Sequence, residues 1–132
     1  MRMAAVLPHP PLLVPELVGN GADQVVPVLS ACDRVLARIR SVPGVGSTVP
    51  LVLVGGGGLT RRHPPSAWGS LAGFGVPVHA PARHGDGVPT LPLSLTVGRW
   101  LLDRGLPDGT APVLQEVATD ASPTTCADLG RS

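Results

Sequence analysis

Val49 to Gly58 reads VPLVLVGGGG, an apolar run that empties into four consecutive glycines. An unbroken stretch of valine and leucine, with no polar residue every second position, marks a strand covered on both faces, and such strands belong to parallel sheets. Pro50 is tolerable at the first position, where a strand can lack a ladder donor. The expected strand is Pro50–Val54, and Gly55–Gly58 is the loop that leaves its C-terminal end.

Working outward, Met3–Leu7 (MAAVL) is a second run of the same kind, expected as a buried parallel strand. The stretch that follows, LPHPPLLVPEL, contains Pro8, Pro10, Pro11 and Pro15, each of which removes a backbone donor and fixes φ, so no helix runs through it. Ala111–Ala118 (APVLQEVA) is a third strand. Val76–Ala80 (VPVHA) alternates weakly and is expected at an edge. Between these runs, Val25, Val28, Leu29, Cys32, Val35, Leu36 and Ile39 keep helical spacing over Gln24–Arg40, with Asp23 as N-cap and Pro27 in the first turn. A second helix is expected from Thr90, with Leu93, Val97, Trp100 and Leu101 on one face and Gly105 and Pro107 as stop signals. Ser122 followed by Pro123 starts a third. Leu59–Gly75 has no sustained period and reads as a long loop.

The order strand, helix, strand, loop, strand, helix, strand, helix predicts an α/β fold: one domain over residues 1–132, with a mostly parallel sheet flanked by helices in three layers. Right-handed crossovers then put the strand-end loops on one edge, where open sheets bind ligands.

Composition narrows the function classes. The 132 residues are 43% hydrophobic and only 14% charged, which excludes a disordered, strongly charged chain. There is no Tyr, one Phe and two Trp, too few rings for a stacking platform that binds single-stranded nucleic acid. A net charge of +1 provides no long-range field for nucleic acid or a membrane surface. Cys32 and Cys126 are too few for a disulfide framework, and Cys32 is expected as inert core. The N-terminal apolar run is cut short by the prolines, so neither a signal segment nor a membrane span fits. The expected location is cytoplasmic.

His9 and His63 each occur as His-Pro-Pro, and each follows an expected strand. A facial Fe(II) site takes two His and one carboxylate with positions left open, so the pair is a candidate metal set; proline-rich loops also contain His by chance. Glu16, the nearest acid to His9, reads as a helix start or a solvated loop residue. Gly55–Gly58 lacks the Lys and Ser/Thr of a phosphate-binding loop. Arg61 and Arg62 are candidates for holding an anionic substrate or are simply solvated, and Asp120 lines the same expected edge. His79 sits on the weak edge strand and His84 in a polar turn, RHGDG, neither with a partner set by spacing. No nucleophile elbow is present.

The segment AAVLPHPPLLVPEL resembles the N-terminal strand and loop of the class III extradiol ring-cleavage dioxygenase (LigB-like) family. GSLAGFGVPV, LPLSLTVGRWLL and VATDASPTTCADLGRS, in that order, resemble an actinobacterial branch of it. The resemblance implies an α/β fold with a mononuclear Fe(II) held by two His and one Glu, activating O₂ to cleave a catechol-type ring beside its hydroxyls. His9 matches the family's first His. The second normally follows the second strand almost at once, where Gly55–Gly58 stand, and His63 comes several residues later. The family's Glu ligand and catalytic His belong to its C-terminal half, so the chain is expected to be a fragment or to be completed by another polypeptide.

Two expectations follow. One is a dioxygenase-like oxidoreductase of small aromatic substrates, incomplete or inactive as this chain. The other is a non-catalytic binding or scaffold domain of the same fold. A shortened sheet exposes an edge and apolar surface, so a homo-oligomer or a complementing chain is the expected partner, with no nucleic acid and no membrane.

Overall fold

The computed structural model describes residues 3–107 and 109–132. It is an α/β arrangement of a small mixed sheet and helices. Strands β1 (Val52–Gly57), β2 (Arg61–His63) and β5 (Val113–Ala118) form a three-stranded sheet in the order β1-β5-β2. β1 runs parallel to β5 with Val52 opposite Val113 and Gly57 opposite Ala118. β2 is antiparallel, with Arg61 opposite Glu116 and His63 opposite Leu114. A separate antiparallel pair joins β3 (Gly69–Ser70) to β4 (His79–Ala80).

The helices are α1 (Pro15–Val18), α2 (Val26–Arg40), α3 (Leu93–Gly105) and α4 (Pro123–Arg131). Leu29, Cys32 and Leu36 of α2 meet Val97, Leu101 and Leu102 of α3 in the main core, with Leu13 and Leu106 at its ends. Leu36, Val97 and Leu101 have no exposed surface, and burying a side chain of this size contributes roughly 1.5–3 kcal/mol. Gly98 and Gly105 let α3 approach its neighbours: a Cβ on Gly98 would sit 3.0 Å from Leu53 Cδ1, and one on Gly105 would sit 2.7 Å from Leu36 Cβ. On the surface, Arg104 bonds Asp33 of α2 at 3.2 Å and lies over the Trp100 ring. An exposed pair of this kind adds at most about 1 kcal/mol.

Several elements differ from the expectation. Met3–Leu7 is not a strand: Met3–Val6 are exposed, and only Leu7 packs against the core. Pro8 and Pro10 stop any ladder beyond Leu7, leaving a run too short to hold its place in a sheet. β1 begins two residues late and continues through Gly55–Gly57, because β5 is long enough to pair with the glycines. The expected loop Leu59–Gly75 contains β2, β3 and a 3-10 turn at Ala72–Phe74. β2 makes the sheet mixed rather than mostly parallel. The weak strand Val76–Ala80 shrinks to His79–Ala80.

Helix starts also move. α2 is capped by Val25 with no side-chain cap, instead of Asp23. α3 starts at Leu93, because the Thr90 N–H donates to the Trp68 carbonyl at 2.9 Å and is held outside the helix. α4 begins as expected, the Ser122 hydroxyl accepting from the Thr125 N–H at 3.1 Å.

Candidate functional site

Among the described residues, no strand pairs with the outer edge of β1. The Val113 N–H donates to the Leu51 carbonyl at 2.8 Å and the Thr119 N–H to the Gly57 carbonyl at 3.1 Å. In a parallel ladder the donor and acceptor of one residue point the same way and alternate along the strand, so Leu51, Leu53, Gly55 and Gly57 face β5. Val52, Val54 and Gly56 face outward. The Gly56 carbonyl is satisfied by the Ser94 hydroxyl at 2.6 Å. The side chains of Val52 and Val54 are themselves largely exposed, at 51% and 61%.

Along this edge runs a groove of about 1090 Å³, lined by Met3–His9 and by Thr48–Gly56. Its floor is apolar, with Leu36 and Leu102 from the core, Ile39 packed against that core, and Val42 beside them. His9, Thr48 and Ser94 supply its polar side chains. His9 is exposed and stands at this groove, as does the glycine end of β1.

His63 is elsewhere. It lies on β2, beyond β5 from the groove, and is 5% exposed. Its Nε2–H donates to Glu116 Oε2 at 2.7 Å. Arg61 Nε donates to the same oxygen at 3.1 Å, and the Leu59 N–H to Oε1 at 3.2 Å. Gly57 lies directly beneath, where any Cβ would overlap the Glu116 carboxylate. Burial pushes the Glu116 carboxyl up, but the hydrogen bonds from His63, Leu59 and Arg61, with the Arg61 charge, outweigh it and hold the carboxyl below its ordinary value. The carboxylate is therefore ionised and accepts all three bonds.

Thus the structure gathers Arg61 and His63 on one carboxylate and leaves His9 at the groove. Arg62, Glu16 and Asp120 are exposed. Cys32 is buried, and that burial, with the Asp33 carboxylate beside it, pushes its thiol up and keeps it unreactive. Glu116 is not singled out by the sequence motifs, although one signal points to it: a charged residue inside the apolar run VLQEVA needs a partner if that run is buried.

A second polar cluster surrounds Trp68. The His84 ring stacks on the Trp68 ring at 3.6 Å between centroids, and His84 Nε2 lies 3.0 Å from His79 Nδ1. Among the described residues, no group of three His, Cys, Asp or Glu side chains is arranged to hold a metal ion. No helix among them is long and apolar enough to cross a membrane.

No protein-family model, curated protein or solved structure matches this chain.

Proposed function

We propose that the chain is a binding domain for a small phenolic aromatic molecule, of the kind expected from its resemblance to the extradiol dioxygenases, with the groove beside β1 as the site. The observation that carries this reading is the groove itself: a largely apolar trough along β1 that reaches Gly55 and Gly56 at the strand's C-terminal end, with the His9 imidazole and the Ser94 hydroxyl in its lining. Ligands of α/β sheets bind at such strand ends. A mostly apolar lining with a few polar groups is the usual make-up of a small-molecule site. The apolar floor would take the ring, and the His9 imidazole, which can both donate and accept, would take a hydroxyl.

Fe(II) does not fit the described residues as a resident group. The two imidazoles implied by the resemblance do not share the groove, and His63 Nε2 is already bonded to Glu116. The proposed activity is therefore binding, and oxidative ring cleavage is not assigned to these residues.

Titration calorimetry with catechol tests this. Wild type should bind it saturably, with Kd near 1 mM or tighter, about −4 kcal/mol. His9→Ala should weaken binding about fivefold, the loss of one hydrogen bond of about 1 kcal/mol. Val54→Arg, at an exposed position in the groove lining, should block the groove. No saturable binding by wild type, or binding untouched by both substitutions, overturns the reading.

A further inference from the structure

His79 and His84 are five residues apart in sequence and are brought together by the fold in a way that the groove and the His63–Glu116 pair do not use. His79 is fixed on β4, opposite Ser70. His84 lies in the loop after β4 and is held at two points: its ring is stacked within 10° of parallel on Trp68, and its Nδ1 lies 3.0 Å from the Gly85 carbonyl. The loop is closed again further on, where the N–H groups of Thr90 and Leu91 both donate to the Trp68 carbonyl. Trp68 itself is 9% exposed and anchors the arrangement.

The hydrogen bond to Gly85 decides the protons. A carbonyl only accepts, so His84 Nδ1 carries the hydrogen and, in the neutral ring, Nε2 carries the lone pair. That lone pair faces His79 Nδ1 across 3.0 Å. Imidazoles that ligate metals are oriented in this way, the second ring N–H donating to a backbone carbonyl and fixing the tautomer. Two nitrogens each about 2.1 Å from one ion at a right angle, the angle of the tetragonal sites that Cu(II) and Ni(II) take, lie about 3.0 Å apart, whereas a tetrahedral Zn(II) would hold them about 3.4 Å apart.

We propose that His79 Nδ1 and His84 Nε2 form a two-histidine site for a divalent transition ion that takes ligands at right angles, Cu(II) foremost, with water completing the coordination. Imidazole suits such ions, and Cu(II) stands above Zn(II) in the usual affinity order. On binding, His79 keeps one proton and moves it from Nδ1 to Nε2, while His84 is unchanged. No net proton is released when both rings start neutral. Both rings are partly or fully open to solvent, so the ion has a direct path to the site.

The geometry supplies its own reporter, because the Trp68 indole is in ring contact with a ligand. The test uses the full chain carrying Cys126→Ser, which removes the exposed thiol as a competing ligand. Calorimetry with copper(II) chloride and with zinc(II) chloride should show one ion per chain, Cu(II) the tighter. Cu(II) should quench the Trp68 emission. His79→Ala and His84→Ala should each weaken binding by at least the about 10- to 100-fold that loss of a supporting partner costs a metal site. Trp68→Phe should keep one ion per chain by calorimetry while losing most of the quenching, and His9→Ala should change neither. Absence of saturable binding, or one-to-one binding that survives both His79→Ala and His84→Ala, overturns the proposal.

Discussion

His63 Nε2 stands 2.7 Å from Glu116 Oε2, and both side chains are almost wholly buried. This joins the short antiparallel strand β2 to the central strand β5 by more than its ladder. Arg61, the other β2 side chain on the same carboxylate, is 48% exposed and carries the network out to solvent. A carboxylate in the interior is stable only when its lone pairs are used. Here three donors from residues 59–63 use them, so the turn after β1 and the first residues of β2 are ordered by one charge.

Removing either buried partner should be costly. His63→Ala leaves the Glu116 carboxylate with Arg61 and the Leu59 N–H alone and opens a cavity, and a loss of about 3 kcal/mol is expected. Glu116→Gln keeps the shape but weakens the bonds from His63 and Arg61. It should cost less, about 1–3 kcal/mol. Urea unfolding of both variants and of the double variant measures this. The double should fall well short of the sum, because the two side chains share one interaction.

The same carboxyl sets an acid limit. Its value in the folded chain is lowered, by hydrogen bonds from His63, Leu59 and Arg61 that outweigh the opposing effect of burial. Above the unfolded value, about 4.3, its contribution to stability is fully present. As the pH falls below that point, the unfolded chain takes up a proton first, and the contribution declines until the folded value is passed. Wild type should lose stability steadily below about pH 4.3, and Glu116→Gln should show a flatter profile there. Urea midpoints measured from about pH 3 to pH 7, a range that brackets the unfolded value, check the slope.

What could be read from the sequence follows how local each signal is. The Ser122-Pro123 start of α4 and the buried face of α2 around Cys32 and Leu36 depend on neighbours within one or two turns, and both are present in the structure. The strand through VLVGGG is recognisable from its valines, but its extension into glycine is not, because it depends on the ladder offered by β5. β2 is three residues of Arg, Arg and His, with no apolar pattern at all. It is a strand because Glu116, 53 residues away in sequence from His63, supplies the partner. The Met3–Leu7 run shows the converse. Its composition suits a strand, yet no ladder holds it, and Val6 is 99% exposed. His79 and His84 meet through a turn and a Trp ring, a contact that no spacing rule contains.

Gly105 gives a test of the packing between α2 and α3. A Cβ there would lie 2.7 Å from Leu36 Cβ, closer than two carbons tolerate, and Leu36 is fully buried with no room to withdraw. Alanine is the better helix former by about 1 kcal/mol, so a site without this contact would gain from the change. Gly105→Ala should instead destabilise the chain by about 1–3 kcal/mol through overpacking, seen as a lower Tm. Gly130→Ala, on α4 with open space around it, should not destabilise.

The outer edge of β1 makes a prediction residue by residue. The N–H groups of Leu53 and Gly55 point into the ladder with β5, while those of Val52 and Val54 point outward, as the bonds to the Leu51 and Gly57 carbonyls require. Amide hydrogen exchange followed by NMR on dilute protein should therefore alternate along the strand, with Leu53 and Gly55 protected and Val52 and Val54 exchanging near the rate of an open chain. Equal protection of all four would show that something lies on the edge. An edge of this kind with exposed valines is also a template for strand addition. Raising the protein concentration should then slow exchange at Val52 and Val54 selectively if two copies pair there, and leave Leu53 and Gly55 as they were. Val54→Lys, a charge of the sort that natural edges carry against such pairing, should abolish that concentration dependence without changing the alternation.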